Sequence, residues 1–227
     1  MTLADGLQEP TTQEKILDAA ERLFADNGFA GTSVRAITAE AGVNLASAHY
    51  HFGSKEALIR MVLSRRVEPI TQERLHLLEA CLQEAGDGLP RLEGIAEAFI
   101  GPAVRLSRDP QRAVFMRLMG RVHSEAGEFM PQLINELFSD TARRFHQALK
   151  AALPAFSEED LFWKLNFMVG AMAFTLATPQ AIEQVSGGRC DPADSEGVLA
   201  HMTAFVAAGL RAEVSGRGAE TQRRGKR

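Results

Sequence analysis

Residues Thr32 to Lys55 read TSVRAITAEAGVNLASAHYHFGSK. This stretch predicts two short helices joined by a tight turn, with a third helix starting just after it. Thr32 and Ser33 are helix-starting residues, because a short side-chain oxygen accepts a bond from the first free backbone N–H groups. Val34, Ile37 and Ala41 then fall on one helical face, with Ala36 and Ala39 small beside them. Gly42 follows, where a helix can end in a left-handed conformation that glycine adopts without strain. Asn44 is placed to cap a second helix, Leu45 to His51. Gly53 closes it and Ser54 caps the third. Two helices meeting at a steep angle across a glycine-containing turn make a helix-turn-helix, whose second helix fits the DNA major groove.

The same turn also occurs inside ordinary helical proteins, so the composition of the second helix matters. Asn44, Ser47, His49, Tyr50 and His51 crowd hydrogen-bonding groups into about two turns. Arg35 and Lys55 flank that set and are placed to hold phosphates. Thr32 and Ser33 complete the expected DNA-contacting residues.

Around these residues the chain resembles the TetR family of bacterial transcriptional regulators. The similarity runs from Gln13 to about Arg65, through EKILDAAERLFADNGFAGTSVRAITAEAGVN and HYHFGSKEALI. It rests on the spacing of Ala19, Phe24, Gly28, Thr32, Ile37, Ala41, Gly42, Val43, Phe52, Ser54, Lys55 and Leu58. The resemblance implies a homodimeric repressor on a palindromic operator, with a helical ligand-binding domain behind the DNA reader. One departure is His49, where the family usually has a Tyr on the DNA backbone; here Tyr50 follows it. The second half resembles a narrower group, the PsrA-like regulators that answer to fatty acids, in VFMRLMGRV (Val114 to Val122) and LFWKLNFMVGAMAF (Leu161 to Phe174).

At 227 residues, 45% hydrophobic and 24% charged, the composition is that of a soluble globular protein of one large or two small domains. No run of eighteen apolar residues occurs, and MTLADGLQEP has neither the basic patch nor the apolar core of a signal peptide. Cys81 and Cys190 lie far apart without metal-ligand spacing, which predicts reduced thiols in a cytoplasmic protein. No metal or other cofactor is implied. The net charge of −4 is unusual for a DNA binder. DNA affinity depends on charge near the docking face, however. Between Ala30 and Arg66 five basic residues (Arg35, Lys55, Arg60, Arg65, Arg66) stand against Glu40 and Glu56.

The expected fold is all-α. A disordered arm (1–11) precedes a helix-turn-helix domain (12–66), a larger helical ligand-binding and dimerisation domain (67–214), and a basic disordered tail (215–227). The first helix should span Thr12–Asn27 and end at Gly28. Ser54 should open a long helix running towards Cys81, kinked or divided at Pro69. Further helices are expected at about Leu92–Ser107, Pro110–Ala126, Pro131–Leu153, Glu158–Thr178 and Asp194–Val214. The stretch Gly187 to Asp194 reads as a flexible loop.

Leu161 to Leu176 is apolar nearly all round. Leu161, Leu165, Met168 and Met172 share one face; Trp163, Phe167, Gly170, Ala171 and Phe174 share another. A helix apolar on two faces is buried on two faces, so one can pack on its own core and the other on a second subunit. Met202 and Phe205 of the last helix join that expected dimer seam. Ten of the 13 Phe and six of the 8 Met follow Pro90. Phe and Met fill space without polar partners; together with the resemblance they point to a small hydrophobic ligand, a fatty acid or acyl-CoA. The expected lining is Phe99, Phe115, Met116, Met119, Phe145, Met168 and Met172. Asn166, and also Arg117, Arg121 or His123, are the scarce polar partners.

No Gly-rich phosphate loop, paired zinc ligands or Gly-x-Ser-x-Gly elbow appears. His49 and His51, two apart, cannot share a helix face. An enzyme is therefore not expected. A repressor sensing a drug or other metabolite, and a helical lipid-binding protein, remain the alternatives.

Overall fold

The computed structural model describes residues 9–107, 113–124 and 129–213. The first eight residues of the expected arm, the basic tail, the Pro110 helix start, and the side chains of Met116 and His123 lie outside what it describes. The described residues form ten helices and no strand: α1 Thr12–Gly31, α2 Val34–Glu40, α3 Leu45–Phe52, α4 Lys55–Ala85, α5 Leu92–Ser107, α6 Ala113–Ser124, α7 Phe129–Ala152, α8 Glu158–Ala177, α9 Pro179–Ser186 and α10 Ser195–Arg211.

Local chemistry sets most of these boundaries. Thr11 and Glu14 form a reciprocal capping box at the start of α1. Gly28 breaks the regular helix, at φ 76°, and a last turn carries on to Gly31. Pro69 does not divide α4, which continues through it for 31 residues. The helix is held by packing on both sides of Pro69, with Val67 and Leu78 buried. Thr178 precedes a proline, which disfavours helical geometry, so α8 stops at Ala177. Pro179 then opens α9 as its first residue, at a bend of 76°. Helix α9 is not among those expected from the sequence.

Two apolar cores lie along α4. The first joins α1, α2, α3 and the start of α4 through Ile16, Phe24, Ile37, Leu58 and Leu63, and it also takes in Phe115, Leu118 and Val122 of α6 and Leu133 of α7. The second gathers Leu78 of α4, Ile95 and Phe99 of α5, Phe145 and Leu149 of α7, Leu161 and Met168 of α8, and Val206 and Leu210 of α10. The DNA-reading helices and part of the C-terminal half therefore share one core. Glu21, buried in α1, accepts from Arg65 Nη2 at 2.6 Å and Arg66 Nε at 2.9 Å, tying α1 to α4. Arg65 also pairs with Asp18 at 2.7 Å.

Thr32 departs from its expected role at the DNA. It is 2% exposed, and its hydroxyl donates towards the Gly28 carbonyl at 2.8 Å and the Leu23 carbonyl at 3.0 Å. A hydroxyl committed inward cannot reach a phosphate; Thr32 closes the end of α1, and Ser33 is the cap of α2. Thr32→Val keeps the shape and loses these bonds. Stability should fall by about 1 kcal/mol, a drop of roughly 2–4 °C in Tm for a chain of this size. Operator affinity at 25 °C should be unchanged; thermal unfolding and DNA titration of the same variant check both halves.

Candidate DNA interface and ligand core

The reading helix is built by three caps in succession. Ser33 Oγ accepts the Ala36 N–H at 3.1 Å, Asn44 Oδ1 accepts the Ser47 N–H at 2.8 Å, and Ser54 Oγ accepts the Ala57 N–H at 3.1 Å. Gly42 and Gly53, at φ 66° and 71°, make the two reversals that bring α2, α3 and α4 together. Only Ala48 and Phe52 of α3 are buried. His49, Tyr50 and His51 are exposed, Ser47 is half-buried, and Asn44 sits exposed at the helix start. Tyr50 is 86% exposed, its ring edge-on to His51 with centroids 5.2 Å apart. His49 Nδ1 lies 3.4 Å from the Gly53 carbonyl. An aromatic hydroxyl this exposed on a short polar helix has no packing role to play.

The positive charge beside this helix is narrower than the sequence count implies. Arg65 and Arg66 are committed to Asp18 and Glu21, and Arg60 pairs with Glu136 of α7. Among the described residues, Arg35 and Lys55 carry no ion pair or hydrogen bond, and they flank α3 on either side. A cleft of about 20 Å³ between α2, α3 and α4, lined by Val34, Ala48, His49, Phe52 and Lys55 among others, has room for little more than one water.

The expected ligand lining divides between the two cores. Phe99, Phe145, Met168 and Met172 belong to the second, with the Phe99 and Phe145 rings edge-on at 5.0 Å. Phe115 and Met119 belong to the first core, against α1. The polar partners do not line either. Asn166 is exposed, on the same side of α8 as Trp163 and Phe167, because the inward positions of that helix are Leu161, Lys164, Leu165 and Met168. Arg117 lies 3.5 Å from the Asp26 carboxylate, and Arg121 Nη2 donates to the Asp26 carbonyl at 2.8 Å. Both join α6 to the end of α1.

Two cations that do not figure among the sequence-based expectations are buried in the second core. Lys164 donates to the Gly209 and Ala212 carbonyls at 3.2 and 2.6 Å, closing the end of α10. Arg74 is 3% exposed on α4. A signal for it exists in the sequence: Arg74 falls seven residues after Val67 and four before Leu78, in the row of the helix that faces the core.

On α8, Trp163, Phe167 and Phe174 are exposed, with the Trp163 and Phe167 rings stacked 5.7 Å apart. Gly170 lies among them with open space around its Cα, and Ala171 is half-buried. Phe205 of α10 is 73% exposed. Met202, expected in the same seam, packs inward, because Met202, Val206 and Leu210 form the buried row of α10. Among the described residues no three His, Cys, Asp or Glu side chains cluster to hold a metal, and no single helix is long and apolar enough to cross a membrane.

Residues 16–62 match the bacterial regulatory proteins of the tetR family, and residues 97–209 match the tetracyclin repressor-like C-terminal domain. The chain belongs to the TetR family. It is a DNA-binding transcriptional regulator of that family, with a C-terminal ligand-binding domain, and not an enzyme. The HTH-type transcriptional regulator BetI of Brucella anthropi is 28% identical over 167 residues, covering 72% of this chain and 78% of that protein. Two solved structures share the fold. The SmeT–triclosan complex aligns at a TM-score of 0.63 with 19% identity, over 90% of this chain and 96% of that one. The transcriptional regulator FadR from Bacillus subtilis, in complex with stearoyl-CoA, aligns at 0.58 with 16% identity, over 86% of this chain and 97% of that one.

Within a TetR regulator, the exposed groups on α3 and the two unpaired cations beside it are the expected contacts. Tyr50→Ala and Lys55→Ala should each weaken operator binding while Tm stays within about 1 °C, as neither side chain belongs to a core. Removing one phosphate contact should also flatten the slope of log affinity against log salt by about one unit. Anisotropy titrations at several salt concentrations measure both. Unchanged affinity in both variants would exclude α3 as the reader.

Proposed function

We propose that this chain is a homodimeric repressor that binds a palindromic operator through α3 and leaves it when the second core takes up an apolar acyl ligand, a fatty acid or an acyl-CoA. The observation that carries the dimer is the row of exposed aromatics on α8 and α10: Trp163, Phe167, Phe174 and Phe205. An apolar patch of this kind marks a surface meant to be covered, and a second copy packed through a two-fold axis covers both patches at once. The reading helices of such a dimer stand about 34–36 Å apart, one turn of DNA, or a multiple of it. A cytoplasmic location goes with this reading.

Two features favour the acyl ligand. Phe99, Phe145, Met168 and Met172 gather in one core, with thioethers that repack easily around a flexible chain. FadR of Bacillus subtilis, a fold relative, is solved with stearoyl-CoA. The SmeT relative, solved with triclosan, favours a second reading in which the same core takes a small aromatic compound.

The test is to titrate operator complexes with acyl chains of increasing length. Each buried methylene adds about 0.8 kcal/mol at most, so the concentration that releases DNA should fall with chain length until the core is full. Release requires unequal affinity for the two conformations. If no chain length changes DNA affinity and triclosan does, the acyl reading gives way to the aromatic one.

The dimer has its own check. An added side chain at Gly170 meets nothing within the subunit, so Gly170→Arg should fold normally. It should sediment as a monomer at micromolar concentration and lose operator affinity. A Gly170→Arg dimer that still binds operator would contradict the interface.

A further inference from the structure

Arg74 is a buried cation without a counter-ion. Its Nε donates to the Phe99 carbonyl at 2.7 Å, and its Nη2 reaches the Met172 sulfur at 3.2 Å. Its Cζ lies 4.1 Å from the centre of the Phe99 ring. No carboxylate faces it among the described residues. Glu73, its neighbour in sequence, is paired with Arg105 at 2.6 Å. The other buried charges are provided for: Glu21 holds two arginines, and Lys164 holds two main-chain carbonyls. Burial alone lowers the Arg74 pKa to about 10, so the guanidinium stays charged at neutral pH.

A guanidinium offers five N–H donors in a planar fork. Here one goes to a carbonyl and one to a thioether, a weak acceptor. Charge buried on these terms is costly unless something else completes the site. An anion with two oxygens in a plane would do so by a bidentate, charge-assisted pair. The place for it is the one that the Met172 sulfur now holds. Met172 is half-buried, and its unbranched side chain can swing aside without disturbing the backbone. The apolar side chains of Phe99, Phe145 and Met168 then lie next to the anion rather than beyond it.

We propose that Arg74 binds the carboxylate of an apolar monocarboxylic acid, whose chain lies among Phe99, Phe145 and Met168, with Met172 holding the place of the carboxylate in its absence. This rests on the reading of the second core as the ligand site, and it narrows that reading to the free acid. A thioester has no carboxylate, and the bulky nucleotide of an acyl-CoA does not fit against a guanidinium that is 3% exposed.

The test uses calorimetric titration of the full-length protein with dodecanoate, methyl dodecanoate and dodecanoyl-CoA, on wild type, Arg74→Met and Arg74→Lys. Wild type should bind dodecanoate about tenfold or more tightly than either the ester or the thioester, the worth of one charge-assisted contact. Arg74→Met replaces the charge with an apolar chain of similar length. It should fold with an unchanged or raised Tm and bind acid and ester alike. Arg74→Lys keeps the charge without the fork and should retain part of the preference. A purely structural Arg74 would alter both affinities together and leave their ratio unmoved. Equal wild-type affinity for acid and ester, or a preference that survives Arg74→Met, would overturn the carboxylate assignment and leave the apolar core standing. If none of the three probes binds wild type, the core itself is not an acyl site and both readings fall. Should Arg74→Met fail to fold, the wild-type comparison of acid with ester still decides.

Discussion

One helix has to serve two cores. The row of α4 that begins with Leu58, Leu63 and Val67 packs under the DNA-reading helices. The same helix, one long stretch further on, delivers Arg74 and Leu78 to the core formed by α5, α7, α8 and α10. Because α4 runs unbroken from Lys55 to Ala85, neither core can repack without moving a shared rigid rod. Helix α6 makes a second link. Its Phe115, Leu118 and Val122 complete the first core, while Arg117 and Arg121 reach the Asp26 end of α1. A packed element with two arrangements is the physical requirement for coupling distant sites, and these two helices are where it would act.

Buried charge is handled in opposite ways at the two ends of that rod. Glu21 near the DNA-reading end is neutralised by two arginines, which lock α1 to α4. Arg74 in the other core is held by one carbonyl, one thioether and one aromatic face. The first arrangement is complete and fixes geometry; the second is incomplete and leaves room for a binding partner. This difference is what separates a structural tie from a receptor in an otherwise apolar interior.

The parts of the fold legible in the sequence are those set by local chemistry. Ser33, Asn44 and Ser54 cap helices and Gly42 and Gly53 reverse the chain over distances of a few residues, so the helix-turn-helix can be read directly. Thr32 misleads because a hydroxyl before a helix looks like a cap, and its commitment to the Gly28 and Leu23 carbonyls depends on the break at Gly28. The basic patch looks larger in sequence than in space because Glu21, which occupies Arg65 and Arg66, stands more than forty residues away along the chain. On α8 the two apolar faces separate by period, but Asn166, expected in the interior, lies beside the exposed aromatics. A helix apolar on every side does not itself say which side is in. Helix α9 escapes sequence reasoning because eight residues hold too little periodicity to stand out from a loop, although Pro179 marks its start.

Occupancy of the second core should change the relation between the two reading helices of one dimer. The direct measurement is the distance between spin labels on those helices, one at Ala46→Cys of each subunit, in a protein with Cys81→Ser and Cys190→Ser. Pulsed dipolar spectroscopy should give one narrow separation in the operator complex. Without DNA, adding dodecanoate should shift the distribution away from that separation. No dipolar signal between subunits, or a distribution unmoved by a ligand shown to bind, would contradict the account.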